Sequence, residues 1–425
     1  MSCVVQKFGG TSVATLERIK NVADIIARTH KNGRSVVAVV SAMAGTTNKL
    51  VGYARSLNAY EGDPEYDSIV SSGELVTAGL LAMSLKNLGI KSRSYSAWQT
   101  PIFTDNNHGR AVIQNVDPSN LTRDMSDGII PVVCGFQGVS SENRATTLGR
   151  GGSDLTATAV AFAVGAELCE IYSDVDGVYT VDPNLYSEAK RIDEINYQEM
   201  LEMSAQGAKI LQEQSVDYAM KKGVVVRVAS SFVDNGGTII SATASKKDFR
   251  GLAVTTSLSQ IRVVCNADSS LRGAKRRSAL EKEKTPDCRV GLCPPRNDAM
   301  DNNDLITSIL EKNYIRTDVF KNGDPNKIEI LTDKKKTAAA LNLLKNCDFV
   351  KNARQIVARR PSSRISVIGS SVSKEVGQSL ADLLAAEKID VFGFSAMGCG
   401  INLIVSSDKL LEAVALLHKH CGLGK

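Results

Sequence analysis

Up to about residue 250 the apolar positions fall into two alternating textures. Short, nearly continuous apolar runs at Val36 to Val40, Ile129 to Val133, Leu168 to Tyr172 and Val224 to Val228 read as strands buried on both faces. Longer stretches with helical spacing lie between them: Ala14 to Arg28, Glu74 to Leu88, Asp154 to Val164 and Tyr197 to Lys222. Strand and helix in alternation predict βαβ units, hence an α/β domain with a mainly parallel sheet and helices on both of its faces. Ligands in such folds bind beyond the carboxyl ends of the strands, so the loops there are expected to carry the chemistry.

Beyond residue 250 the units shorten. One reads helix Asp304–Lys312, strand Ile315–Phe320, strand Lys327–Leu331, helix Thr337–Leu344, strand Val350–Val357, with Arg289–Cys293 or Ile261–Cys265 as its first strand. The last reads strand Ile365–Ile368, helix Lys374–Ala386, strands Ile389–Ser395 and Gly400–Ser406, helix Lys409–His420. Both are α+β units of βαββαβ type; the second lacks one strand, for which Leu252–Thr256 is the candidate. Each is too small to bury much core alone, so the two are expected to pack together.

Composition narrows the function classes. At 425 residues, two or three domains are expected. The 43% apolar and 23% charged fractions are those of a globular protein, and no apolar run approaches the roughly 18–20 residues that span a bilayer. The N-terminus shows no basic region or cleavage site, so a cytoplasmic protein without a membrane anchor is expected. A net charge of +5 with 5% aromatics does not suggest nucleic-acid binding. Lys275-Arg276-Arg277 and Lys334-Lys335-Lys336 read as solvated surface. The nine cysteines are scattered; Cys288 and Cys293 are the close pair, with no histidine nearby to complete a zinc site.

Two glycine loops carry the first chemical signals. Lys7-Phe8-Gly9-Gly10-Thr11-Ser12 follows a strand and precedes a helix. Glycines let backbone N–H groups approach a phosphate, and Lys7 is placed to neutralise a transferring phosphoryl group. Thr147-Leu148-Gly149-Arg150-Gly151-Gly152-Ser153-Asp154 joins an anion-binding backbone to an arginine suited to a carboxylate and to an acid. Ser173 to Pro183, with Asp174, Tyr179 and Asp182, follows a strand and suits a ribose or adenine better than calcium. Ser41 to Asn48, Ser72-Gly73-Glu74 and Gln206 to Lys209 complete the set.

In order and spacing these segments, with Gly135-Phe136-Gln137-Gly138, resemble the aspartate kinases, continuously over residues 3–245. The resemblance implies a three-layer αβα amino-acid-kinase-like domain at residues 1–248. It implies a linker strand, a charged insertion and a divergent first ACT domain at 249–360, and a second ACT domain at 361–425. It implies transfer of the ATP γ-phosphoryl group to aspartate, giving 4-phospho-aspartate. Lys7, Arg150 and Asp154 would be catalytic, with Asp154 organising Lys7. Ser41, Thr47, Glu74, Arg150, Gly151, Gly152 and Ser153 would hold the substrate, Arg150 at its α-carboxylate and Glu74 at its ammonium. Lys7, Phe8, Gly9, Gly10, Ser173, Asp174, Tyr179, Asp182, Asn184 and Lys209 would contact ATP. Mg2+ would bridge the phosphates, and no protein metal ligand is expected. A homodimer or higher oligomer and an amino-acid effector are further implications.

Three departures from the family pattern stand out. Asn184 replaces the arginine after Asp-Pro, Gln212-Glu213 replaces His-Pro, and, if Arg289–Cys293 is the first strand, Cys293 to Asp298 stands where the first ACT unit has its effector turn. Weak or absent inhibition by lysine alone is the expectation. With the sequence ending at Lys425, a dehydrogenase fusion is not expected. The competing readings are a kinase of the same fold acting on glutamate, acetylglutamate or a nucleotide, and a catalytically inactive amino-acid sensor.

Overall fold

The computed structural model describes residues 2–208, 210–233, 235–245, 247–265, 302–312, 315, 317–321, 327–346 and 353–424. Lys209, the segment Lys275–Arg277, Cys288, the candidate strand Arg289–Cys293 and the turn Cys293–Asp298 lie outside them.

The chain divides into two units, the first comprising residues 1–253 with 368–371 and 421–425. Its main sheet has eight strands in the order Glu194–Ile195, Thr238–Ile240, Val226–Ser230, Leu168–Ser173, Cys3–Phe8, Ser35–Val40, Ile130–Cys134, Ser92–Tyr95. Cys3–Phe8 is central and pairs in parallel with Leu168–Ser173 on one side and Ser35–Val40 on the other. Thr238–Ile240 runs antiparallel to Val226–Ser230 and, with its parallel partner Glu194–Ile195, forms a reversed edge.

Strand alternation decides what each face receives. Val4 and Phe8 join the core beneath helices Leu16–Lys31 and Ser72–Asn87, together with Ile19, Ile26, Leu81 and Leu85. Each such fully buried aliphatic or aromatic side chain contributes about 1.5–3 kcal/mol. Lys7 has the opposite parity and emerges on the face where helix Gly152–Ala163 packs on the strand. The helical stretch Pro64–Asn87 is long and apolar enough by composition to cross a bilayer, a property the sequence reading did not register; half of it is buried inside the unit.

Two features differ from the sequence reading. The stretch Tyr197 to Lys222 forms two helices, Tyr197–Ala205 and Glu213–Lys222. Gly207 takes φ +115 between them, a conformation closed to a continuing helix. A second, four-stranded sheet, in the order Ile113–Val116, Ile102–Thr104, Gln137–Val139, Ala145–Thr147, was not anticipated, its strands being only three or four residues long.

The second unit holds residues 254–367 and 372–420. Its six-stranded sheet runs Thr317–Lys321, Lys327–Asp333, Gly251–Cys265, Ala353–Ile368, Gly400–Ser406, Val391–Met397. Ile261 and Val263 pair with Ile330 and Ile328 and form a core with Ile306, Leu310 and Leu344. Gly251–Cys265 lies between Lys327–Asp333 and Ala353–Ile368, so one long strand serves both halves of the sheet. Residue 360, where the sequence reading divides two domains, falls within the continuous strand Ala353–Ile368.

In the first unit, Arg250 and Glu199 form a buried ion pair at 2.9 Å, with side chains 3% and 2% exposed. Arg250 also donates to the carbonyls of Glu194 and Ser245, tying the end of the unit to its reversed edge. Removing one partner of such a pair strands the other charge, at about 3–5 kcal/mol. Arg250→Met should therefore lower the unfolding free energy of this unit by about that amount in urea titration, and a loss below about 1 kcal/mol would contradict the assignment.

Candidate active site

The carboxyl ends of the parallel strands carry the glycine loops. Gly9 N–H donates to Tyr172 O at 3.1 Å, continuing the strand pairing one step past Phe8. Ala44 N–H donates to Gly10 O at 3.2 Å, and a Cβ on Gly10 would stand 3.0 Å from Ala42 O. A side chain there would push the Lys7 loop away from the Ser41–Gly45 loop, so the glycine sets their close approach.

Lys7 and Asp154 meet between strand end and helix start. Lys7 Nζ lies 2.5 Å from Asp154 Oδ1, with both side chains about one-tenth exposed (10% and 11%). Asp154 sits in the first turn of Gly152–Ala163, which enters through Gly149 at φ +74 and Gly151 at φ +75. Both angles are left-handed, which glycine adopts without strain. At Gly151 a Cβ would also collide with Gln212. The turn brings the positive end of the helix dipole to the cavity mouth, where an anion is favoured.

A cavity of about 330 Å³ lies there. Lys7, Gly10, Ser41, Thr47, Glu74 and Gly149 to Asp154 line it, together with Ala42, Met43, Ala44, Gly45 and Phe136. Every substrate residue expected from the sequence, and the Lys7–Asp154 pair, thus face one space. Arg150 is exposed, while Glu74 is 3% exposed. Glu74 Oε1 accepts from Ala42 N–H at 3.0 Å; Oε2 has no partner among the described residues. Burial pushes its pKa from the ordinary 4.5 up to about 7, opposed by the Ala42 bond. A buried carboxylate with a free oxygen in a cavity is suited to receive a cation.

Of the nucleotide residues expected from the sequence, Lys7 and Gly10 line this cavity, and the other described ones lie outside its lining. Phe8 is in the core, its ring stacked on Tyr172 at 4.9 Å, so only its backbone faces the loops. Ser173 ends its strand, and Ser173 Oγ receives Val175 N–H at 3.2 Å. Asp174 is exposed, and Tyr179 Oη donates to Asp176 Oδ1 at 2.9 Å. Asp182 Oδ1 accepts from the backbone and the side-chain amide of Asn184, at 2.9 and 3.0 Å, so Asn184 braces this turn. None of Ser173, Asp174, Tyr179, Asp182 and Asn184 lines the 330 Å³ cavity.

Three contributors went unassigned in the sequence. Phe136 lines the cavity at φ +69. Gln137 donates to Ser71 O at 2.6 Å, just before the helix that carries Glu74. Asp67 binds the root of the Thr147 loop. Phe136 and Gln137 belong to a segment singled out in the sequence, but its role was not assigned; the partners of Gln137 and Asp67 are distant in sequence, and no local pattern marks Asp67.

The profile of the amino acid kinase family matches residues 2–230. An aspartokinase of Pseudomonas aeruginosa is 34% identical over 426 residues, covering 98% of this chain and 97% of its own. Among solved structures, Escherichia coli aspartokinase III in complex with lysine and aspartate (T-state) superimposes with a TM-score of 0.74 at 24% identity, covering 98% of this chain and 99% of its own. The same enzyme in complex with aspartate and ADP (R-state) gives 0.71, with the same identity and coverage.

The burial of Glu74 has a measurable cost. Below about pH 4.5 the group is protonated both folded and unfolded, and nothing is lost. As pH rises towards 7 the unfolded chain ionises first and stability falls; above 7 the loss is constant. Glu74→Gln should therefore stabilise the ligand-free protein by about 3 kcal/mol at pH 8 and by almost nothing at pH 4.5. Urea melts of variant and parent at both pH values measure the difference; a gain that does not grow with pH would contradict the buried, costly carboxylate.

Proposed function

This chain belongs to the amino acid kinase family, and from that premise and the full-length likeness to aspartokinases we infer that it is an aspartate kinase, using ATP to phosphorylate the side-chain carboxylate of aspartate. The observation that carries the residue-level reading is the shared cavity. A buried carboxylate, Glu74, and a guanidinium, Arg150, border it, and the Lys7–Asp154 pair stands beside them. An α-amino acid has an ammonium and a carboxylate to match Glu74 and Arg150, leaving its side-chain carboxylate for the reaction.

In the reaction an oxygen of that carboxylate forms a bond to the γ-phosphorus as the bond from phosphorus to the β–γ bridging oxygen breaks. The products are 4-phospho-aspartate and ADP. The nucleophile is already an anion, so no general base is required; positioning and charge neutralisation carry the catalysis. Lys7 neutralises charge on the moving phosphoryl group, and Asp154 holds the ammonium of Lys7 in place. The helix dipole at Gly152 adds a fixed positive field. The nucleotide is assigned to the loops after Leu168–Ser173, with Ser173, Asp174, Tyr179 and Asp182 beside it and Lys209 near its phosphates.

Magnesium is proposed to arrive with the nucleotide phosphates and offset their charge, as phosphoryl transfer ordinarily requires. Among the described residues no cluster of three His, Cys, Asp or Glu could cage an ion, so the phosphates would supply most of its ligands. A cytoplasmic homo-oligomer, with an amino-acid effector acting through the second unit, completes the reading. ADP release measured with aspartate, glutamate, acetylglutamate and a nucleoside monophosphate separates this kinase from others of its fold.

Lys7→Ala should lower kcat by roughly 100-fold or more with a smaller change in KM, because Lys7 acts where charge redistributes in the transition state. Near-normal kcat in a folded variant would remove Lys7 from the mechanism. Arg150→Gln should raise KM for aspartate by roughly tenfold while KM for ATP moves less than about twofold. Equal rises in the two constants would show that Arg150 does not hold the amino acid.

A further inference from the structure

Asp67 has no part in the reaction described above. It lies on the short helix Pro64–Val70 and is fully buried. Its Oδ2 accepts from Thr147 N–H and Gly109 N–H, each at 2.9 Å, and stands 3.1 Å from His108 Nδ1. Its Oδ1 accepts from Thr147 Oγ1 at 2.7 Å. These groups come from two segments far apart in sequence, and none of Asp67, His108 and Thr147 lines the cavity.

The positions of those segments matter. Thr147 is the last residue of strand Ala145–Thr147, and the loop bearing Arg150 starts immediately after it. Ala111 N–H donates to Thr147 O at 2.9 Å, and Gly149 passes so close to Gly109 that a Cβ would stand 3.3 Å from the Gly109 carbonyl. The 108–111 turn therefore lies against the entry of the loop, and Asp67 binds both. At its other end, Asp67 O accepts from Ser71 N–H at 3.1 Å, where the helix carrying Glu74 begins. One residue is joined to Glu74 by a few residues of helix and to the root of the Arg150 loop by hydrogen bonds.

We propose that Asp67 is a positioning residue that sets the span between Glu74 and Arg150, and through it the affinity for the two charged ends of the amino-acid substrate. This rests on the aspartate kinase reading. An ionised carboxylate suits the role because it only accepts; an amide of the same shape would turn N–H groups towards N–H donors. Burial keeps these bonds from exchanging with water, which holds the loop root in one place.

Kinetics of Thr147→Val, Thr147→Ser and Asp67→Asn test the proposal. Thr147→Val removes one donor to Asp67 and keeps the shape. It should raise KM for aspartate by roughly tenfold, leave KM for ATP within about twofold and leave kcat within about threefold. Thr147→Ser, which keeps the hydroxyl, should restore most of the lost affinity. Asp67→Asn should move the same constant further, and if it does not fold, the two Thr147 variants decide. An unchanged KM for aspartate in folded Thr147→Val, equal rises in both KM values, or failure of Ser to rescue would overturn the positioning role. If the unaltered enzyme turns over a different α-amino acid, the aspartate reading fails, and the same KM split measured with that acid still decides the role of Asp67.

Discussion

The ion pair between Lys7 and Asp154 is the constraint around which the catalytic unit is arranged. A central parallel strand must carry Lys7 next to its carboxyl end, with the parity that turns its side chain away from the helices Leu16–Lys31 and Ser72–Asn87. A glycine-entered helix must start where its first turn offers Asp154. Both conditions are local, and both are written at the carboxyl edge of the sheet, where a doubly covered fold leaves backbone groups free for a ligand. A nearly buried pair of this kind does little for stability, since desolvation offsets most of the attraction. In the proposed mechanism its use is to keep an ammonium oriented and largely shielded from water where phosphoryl oxygens would arrive.

Glu74 follows the same logic with the opposite sign. Its carboxyl is placed where ionisation is costly, with one oxygen held by Ala42 N–H and the other without a protein partner. Substrate ammonium would supply the missing partner. The cavity is lined by charges of both signs, Lys7 and Arg150 with Glu74 and Asp154, and in the proposed reading substrate groups complete the interactions of Glu74 and Arg150. On this reading, the cost of ionising buried Glu74 favours a molecule whose ammonium lies at the right distance from its carboxylates.

Much of this arrangement was legible in the sequence because it is local. Lys7 and its glycines, and Arg150 to Asp154, are contiguous motifs that each lead into a helix, and the strand before Lys7 was read from the sequence, whereas the strand Ala145–Thr147 before Arg150 was not. Glu74 was visible as an acid at a helix start, although its burial was not. The hidden parts are those made by distant pairing. Asp67 reaches Thr147 across 80 residues of sequence, and Gln137 reaches Ser71 across 66. The small sheet that aims the Thr147 loop is built from strands too short for a period of two to register. The break at Gly207 inside an apparently continuous helical pattern is one a single glycine does not announce.

In the proposed function these residues join a phosphoryl group to the side-chain carboxylate of aspartate. An acyl phosphate is captured by hydroxylamine as a hydroxamate, so the most direct measurement follows ADP and aspartyl hydroxamate together in the presence of aspartate, ATP and magnesium. Both should form in equal amounts, and only when aspartate is present. ADP release without hydroxamate, or ADP release that does not depend on aspartate, would contradict it.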